Sequence, residues 1–148
     1  MLTANGCLTF LHHFHVGTKQ CNKNFTDQIG VIASPAYPNL YPSRQDCDYR
    51  IYFNTSQFYL DFEYISIEPS ALCNYDYVKI TSRSHNLTHC RNLTNIKLSI
   101  ESSSALVTFH SDVYINYFGF LAMYYPSTGI FIIFVFYLRQ AFLSTVKR

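Results

Sequence analysis

The 148-residue sequence has no tryptophan and little charge: only 14% of its residues are Asp, Glu, Lys or Arg, against a soluble average of about 25%. Scarce charge beside 49% hydrophobic residues excludes an intrinsically disordered chain and an idealised helical bundle, both of which need far more charged surface. Neither sign dominates. Lys+Arg number 11 against 9 for Asp+Glu, and the basic residues are scattered, so there is no electrostatic footprint for nucleic acid and that class of partner is set aside. The length leaves no room for two ordinary domains. Internal repeats at solenoid or propeller spacing are missing, as is the strand–helix alternation that builds a parallel sheet. What is abundant is aromatic: 13 Tyr and 13 Phe predict one domain with a ring-rich core.

Catalytic constellations are lacking as well, and the chain is expected not to be an enzyme. His110 and Ser111 are neighbours, and on a strand neighbouring side chains point to opposite faces, so they make a poor nucleophile–base pair. No Cys/His quartet has zinc spacing. His12, His13 and His15 fall in an unpatterned amino-terminal stretch and read as a solvated tail rather than as ligands. That stretch, residues 1–20, also fails as a secretory leader, because it lacks a basic start, an unbroken apolar run and small residues at a cleavage point.

The cysteines and acceptor triplets nevertheless place the chain outside the cytosol. Asn-x-Ser/Thr triplets occur at Asn24, Asn54, Asn86 and Asn92, each with a non-proline middle residue as glycosylation requires. Together with Cys21, Cys47, Cys73 and Cys90 they point to the secretory pathway, where thiols become disulfides. Four cysteines allow three pairings, and their order does not choose among them. Neighbour pairing would close two medium loops, each worth about 3 kcal/mol in the chain-entropy view. Cys7 is left over, as a free thiol, an intermolecular partner or part of an incomplete leader.

From Cys21 onward apolar residues recur mainly at every second position, the mark of half-buried strands. Residues 48–53, 58–67, 75–80, 96–100, 105–109 and 118–123 follow this alternation. Turn clusters separate them: Ser34-Pro35, Tyr37-Pro38-Asn39, Tyr41-Pro42-Ser43, Glu68-Pro69-Ser70 and Ser102-Ser103-Ser104. Many short strands with polar turns predict an all-β antiparallel sandwich or barrel. His85 and His89, flanking Asn86, read as surface residues of a glycosylated loop.

These segments also carry a family resemblance. Cys21, then Gly30-Val31-Ile32-Ala33-Ser34-Pro35-Ala36-Tyr37-Pro38-Asn39-Leu40-Tyr41-Pro42, then Cys47-Asp48-Tyr49-Arg50-Ile51, resembles the opening of a CUB domain. Leu60-Asp61-Phe62-Glu63, Cys73-Asn74-Tyr75-Asp76-Tyr77-Val78-Lys79-Ile80, Cys90, Ser102 to Phe109, Ser111-Asp112 and Gly119 to Tyr124 follow in that family's order. The resemblance covers residues 21–125, leaving 1–20 as an irregular segment and 126–148 as an apolar tail. It implies a jelly-roll-like sandwich of two antiparallel sheets, with Cys21 joined to Cys47 and Cys73 to Cys90.

Turns gather at the two ends of a sandwich, so the distant acids Glu68, Asp76 and Asp112 can meet in one loop cluster. Carboxylates brought together resist ionisation unless a cation sits among them, and calcium accepts six to eight oxygens in flexible geometry. Calcium-binding CUB domains are similar at these three positions. The resemblance further implies that the Tyr41 hydroxyl steadies the acid at Glu68. The sequence departs from the family after Asp112, where Val113-Tyr114-Ile115 precede Asn116, and a backbone carbonyl near Tyr114 is the expected substitute ligand.

No charged residue occurs from Val113 to Leu138, but Pro126 to Gly129 breaks the run. Residues 130–138 alone would span about 14 Å as a helix, about half of a bilayer core. Lengthening the span buries Arg139 at about 3 kcal/mol. The apolar tail is therefore read as a single-pass anchor, a membrane-surface or packing helix, or a read-through or truncated tail, with any membrane association falling on residues 130–146. The expected function is non-catalytic, extracellular or cell-surface recognition of a protein ligand, through calcium and a basic side chain of that ligand. The alternatives are a free-standing, spermadhesin-like glycan binder that stacks sugars on Tyr114 and Tyr117, and a fragment of a CUB-containing extracellular protease or receptor.

Overall fold

The structure is a computed structural model that describes residues 21–128 and Gln140. Cys7, the three amino-terminal histidines and the apolar segment 130–146, apart from Gln140, lie outside the described residues. Among the described residues no helix is long and apolar enough to cross a membrane.

Among the described residues nine strands form two sheets: β1 (Lys23–Phe25), β2 (Gly30–Ala33), β3 (Gln45–Tyr52), β4 (Phe58–Ser66), β5 (Tyr77–Ser82), β6 (Asn86–His89), β7 (Leu93–Ile100), β8 (Ser104–Ser111) and β9 (Gly119–Pro126). One sheet runs β1-β3-β8-β5-β6, the other β2-β9-β4-β7. All pairings are antiparallel except β1 with β3. The expected all-β, jelly-roll-like sandwich of two sheets is the observed fold.

Period two puts the core where alternation predicts. Cys47, Tyr49 and Ile51 of β3, Val107 and Phe109 of β8, and Val78 and Ile80 of β5 face Phe58, Leu60 and Phe62 of β4 and Phe120 and Tyr124 of β9 across the sandwich. Rings lock the two layers together: Tyr49 meets Phe120 edge-on at 5.5 Å, and Phe53 stacks on Phe58 at 4.3 Å. The one polar atom this core must satisfy at Tyr49 is its hydroxyl, which donates to the Ala33 carbonyl at 2.8 Å.

Alternation slips within β4, where the register against β9 shifts between Phe62 and Tyr64. The extra residue turns Ile65 inward and Tyr64 outward, so that Ile65 and Ile67 both enter the core ahead of Glu68. Tyr64 joins a second apolar cluster of Val31, Ala33, Tyr37 and Leu121 on the other face of the four-stranded sheet. With both faces covered, β2 is buried along its whole length, and β9, expected to alternate over residues 118–123, is instead buried at every position except Met123.

Two readings are corrected here. Asn86 opens strand β6, paired with β5, so the segment is not a loop. His89 is a half-buried residue of that strand with its Nε2 enclosed and without a hydrogen-bond partner among the described residues, and burial followed by the Arg91 charge lowers its pKa.

Disulfides join Cys21 to Cys47 and Cys73 to Cys90, separations of 26 and 17 residues. The first fastens β1 beside β3, and the second ties the loop before β5 to the end of β6. All four acceptor asparagines are exposed.

Gly119 opens β9 with φ of +79°, and a Cβ there would lie 1.7 Å from Ser34 Oγ, which accepts the Phe120 N–H at 3.1 Å. Gly119→Ala is expected to cost roughly 2–4 kcal/mol through left-handed strain and overpacking. Urea unfolding measures it; a loss below 1 kcal/mol would mean that the β2–β9 junction yields.

Candidate metal centre

Glu68 follows β4, Asp76 precedes β5 and Asp112 follows β8, so all three leave their strands at the same pole of the sandwich. One carboxylate oxygen from each lies within 4.8 Å of the others. At that spacing two full charges repel by on the order of 3 kcal/mol at an effective dielectric constant of 20.

Asp76 is fully buried and is the organiser of the pole. Its Oδ2 accepts the Tyr41 hydroxyl at 2.6 Å and its Oδ1 accepts the Asp112 N–H at 2.6 Å. The Asp112 carboxylate turns back to accept the Tyr114 N–H at 2.8 Å, and the Asp112 carbonyl accepts the Arg44 N–H at 2.7 Å. The segment 113–118 is pinned to residues 41–44 by Tyr41 N–H to the Tyr117 carbonyl at 2.9 Å and Ser43 Oγ to Asn116 Oδ1 at 3.1 Å.

The structure corrects the role expected of Tyr41. Its hydroxyl donates to Asp76 rather than to the acid at Glu68, and it meets Glu68 only by accepting the backbone N–H at 3.3 Å. Burial and the hydrogen bond to Asp76 both hold the phenol protonated, far above its ordinary range.

Glu68 is left differently from its two neighbours. The residue is 8% exposed, and its Oε2 is enclosed with no hydrogen-bond partner among the described residues. Burial first, then the charges of Asp76 and Asp112, raise its pKa. An orphaned carboxylate oxygen facing two further hard oxygen donors fits a divalent cation, and oxygen-only donors favour calcium over zinc.

Other candidates are not brought together. Ser111 Oγ donates to the Pro42 carbonyl and accepts the Gln45 N–H, while His110 turns to Asp46 on the outer face at 2.6 Å and stacks on Tyr77. Tyr114 is exposed, but Tyr117 packs against the main core, so the two do not form an open sugar-stacking pair. The Ser43–Asn116 tie and the Asp46–His110–Tyr77 group escape sequence reasoning, because only strand register reveals them.

A family model described as "CUB domain" matches residues 21–124. Neuropilin-2 of Rattus norvegicus is 31% identical over 124 residues, covering 76% of this chain but 13% of that protein, so the chain spans about an eighth of this relative's length. A solved structure of the MASP-1 CUB2 domain bound to Ca2+ is 33% identical with a TM-score of 0.66, covering 72% of this chain and all of that one. The full extracellular region of zebrafish Gpr126/Adgrg6 contains a match of TM-score 0.69 at 28% identity, covering 72% of this chain and 15% of that one.

Tyr41→Phe leaves one oxygen of fully buried Asp76 without its donor, and is expected to cost about 2 kcal/mol in chemical denaturation. A neutral result would show that another donor reaches Asp76. In chelator, Glu68→Gln should stabilise the protein at neutral pH, because a carboxyl whose pKa is raised on folding gives its full stability only below its unfolded value and loses it as pH rises through the folded one. Thermal melts should show the gain shrinking as pH falls into the carboxylate range; a pH-independent difference would contradict it.

Proposed function

This chain belongs to the CUB domain family, and from that premise we propose that it is a non-catalytic, extracellular protein-binding module whose loop pole recognises a basic side chain with the help of calcium. The observation that carries this reading is the buried, unpartnered Glu68 Oε2 set against Asp76 and Asp112. Glu68, Asp76 and Asp112 would hold the ion, with the Tyr114 segment as the neighbouring backbone. Calcium, when bound, supplies the positive charge that lets three crowded acids ionise together.

The protein's own groups do the rest. Tyr41 and the Asp112 N–H occupy both oxygens of Asp76 and so fix its orientation. Asp112 is half-buried, and its remaining acceptor capacity toward solvent suits a Lys or Arg N–H of a partner. Such a contact is charge-assisted and weakens with salt and with chelation. Support for the calcium part comes from the likeness to the calcium-bound MASP-1 domain. Extracellular placement is supported by two disulfides, by four exposed acceptor sites at Asn24, Asn54, Asn86 and Asn92, and by the likeness to an extracellular region.

Calcium at 5 mM, for a site of about 0.5 mM affinity, should stabilise the protein by about 1.4 kcal/mol and raise Tm by several degrees. Glu68→Gln should abolish that rise while leaving a cooperative melt. An undiminished calcium shift in this variant would place the ion elsewhere.

A further inference from the structure

Apolar side chains on the described surface are unevenly placed. Of the eight large apolar side chains exposed among the described residues, six, Leu72, Tyr75, Val113, Tyr114, Ile115 and Phe118, are 43% to 79% exposed and lie in the two loops that carry Asp76 and Asp112, while Leu40 and Tyr52 lie elsewhere. Leu72 adjoins Cys73 and Tyr75 adjoins Asp76. Val113 follows Asp112 directly, and the hydrogen bonds of Asp112, Asn116 and Tyr117 hold 113–118 against the pole. The disulfide from Cys73 to Cys90 holds the other loop from the opposite side. The strands fill their inner faces with other apolar residues, and these six stand outward beside the acidic centre. Exposed apolar surface grouped in this way marks a contact site.

We propose that these side chains form an apolar rim around the acidic centre, and that the partner is a protein presenting a Lys or Arg set among large aliphatic or aromatic residues. The proposal rests on the calcium-assisted recognition described above and adds to it the chemistry of the partner's flanks. An ionic contact in open water is weak, whereas one enclosed by apolar contacts is desolvated and stronger, and a charged centre within a water-excluding ring is the arrangement of binding hot spots. Charge selects a protein over an anionic bilayer. Three carboxylates with one divalent ion keep net negative character, which attracts a cation and repels acidic headgroups. The exposed acceptor Asn92 stands at the same pole, beside Leu93, which pairs with Ile65 near the end of β4, and a sugar chain there would obstruct a flat membrane more than a protruding side chain.

The test uses the full chain in calcium with two synthetic peptides, one with a central lysine between Leu and Phe residues, the other with the same lysine between Ser and Gly. The apolar-flanked peptide should bind at least about tenfold more tightly, and Leu72→Ser/Ile115→Ser should erase the preference while leaving the calcium-induced rise in Tm. Equal affinity for the two peptides overturns the rim and leaves the basic-side-chain reading standing. A preference that survives Leu72→Ser/Ile115→Ser also overturns it. Failure of both peptides to bind overturns the underlying reading and the rim with it. Calcium-dependent binding to phosphatidylserine vesicles, lost in the double variant and without any peptide preference, assigns the rim to membranes instead.

Discussion

The loop pole depends on one buried carboxylate. Asp76 has no exposure to water, and a carboxylate so enclosed is tolerable only where donors meet both of its oxygens. Those donors come from segments far apart in sequence, the Tyr41 hydroxyl 35 residues before it and the Asp112 N–H 36 residues after it. A single side chain thereby joins the turn before β3, the turn before β5 and the segment after β8. The sheets supply the frame: β8 lies between β3 and β5, so its end necessarily brings Asp112 between the other two.

Satisfying Asp76 creates the difficulty at Glu68. The Tyr41 hydroxyl has one proton, and it goes to Asp76; what Glu68 receives from Tyr41 is an acceptor for its backbone N–H, leaving its carboxylate oxygen enclosed and bare. Another neutral donor would relieve that oxygen without relieving the repulsion among three acids. A proton or a metal ion would do both. The raised pKa of Glu68 expresses the first solution and calcium would express the second, so proton and metal would compete for the same oxygen.

How far the sequence discloses this varies with the physical signal. Alternation gives β3, β8 and the Phe58–Phe62 part of β4, because each has one inner and one outer face there. It is silent at β2, whose four residues are buried on both faces, and at β6, where Asn86 and Thr88 form a polar acceptor triplet on the outward side. Three-residue β1 is too short for any period and is held by its parallel pairing and the Cys21–Cys47 bridge. The bulge at Glu63 cannot be read either, since inward Ile65 and Ile67 fit one phase and inward Phe58, Leu60 and Phe62 the other. At the pole, the meeting of Glu68, Asp76 and Asp112 was reachable through the family resemblance and not through periodicity. The partner of Tyr41 was not reachable, because the two acids close to its hydroxyl differ only in which atoms face it.

The same geometry explains why apolar residues gather where they do. Strands spend their inward positions on the core, so a segment leaving a strand under the constraint of Asp76 has backbone groups fixed before its side chains find cover. After Asp112 the N–H of Tyr114 is drawn back to the Asp112 carboxylate, and Tyr41 and Ser43 hold Tyr117 and Asn116. Tyr117 thereby packs inward against the core, while Val113, Tyr114, Ile115 and Phe118 are turned outward. Leaving four such side chains in water forgoes about 1.5 kcal/mol or more at each of the larger ones relative to burial. Small polar residues would satisfy the same backbone bonds without that loss, since none of these bonds uses the outward side chains. The apolar character of the segment is therefore not required by the fold, and contact with something outside the domain is the physical condition under which it becomes favourable.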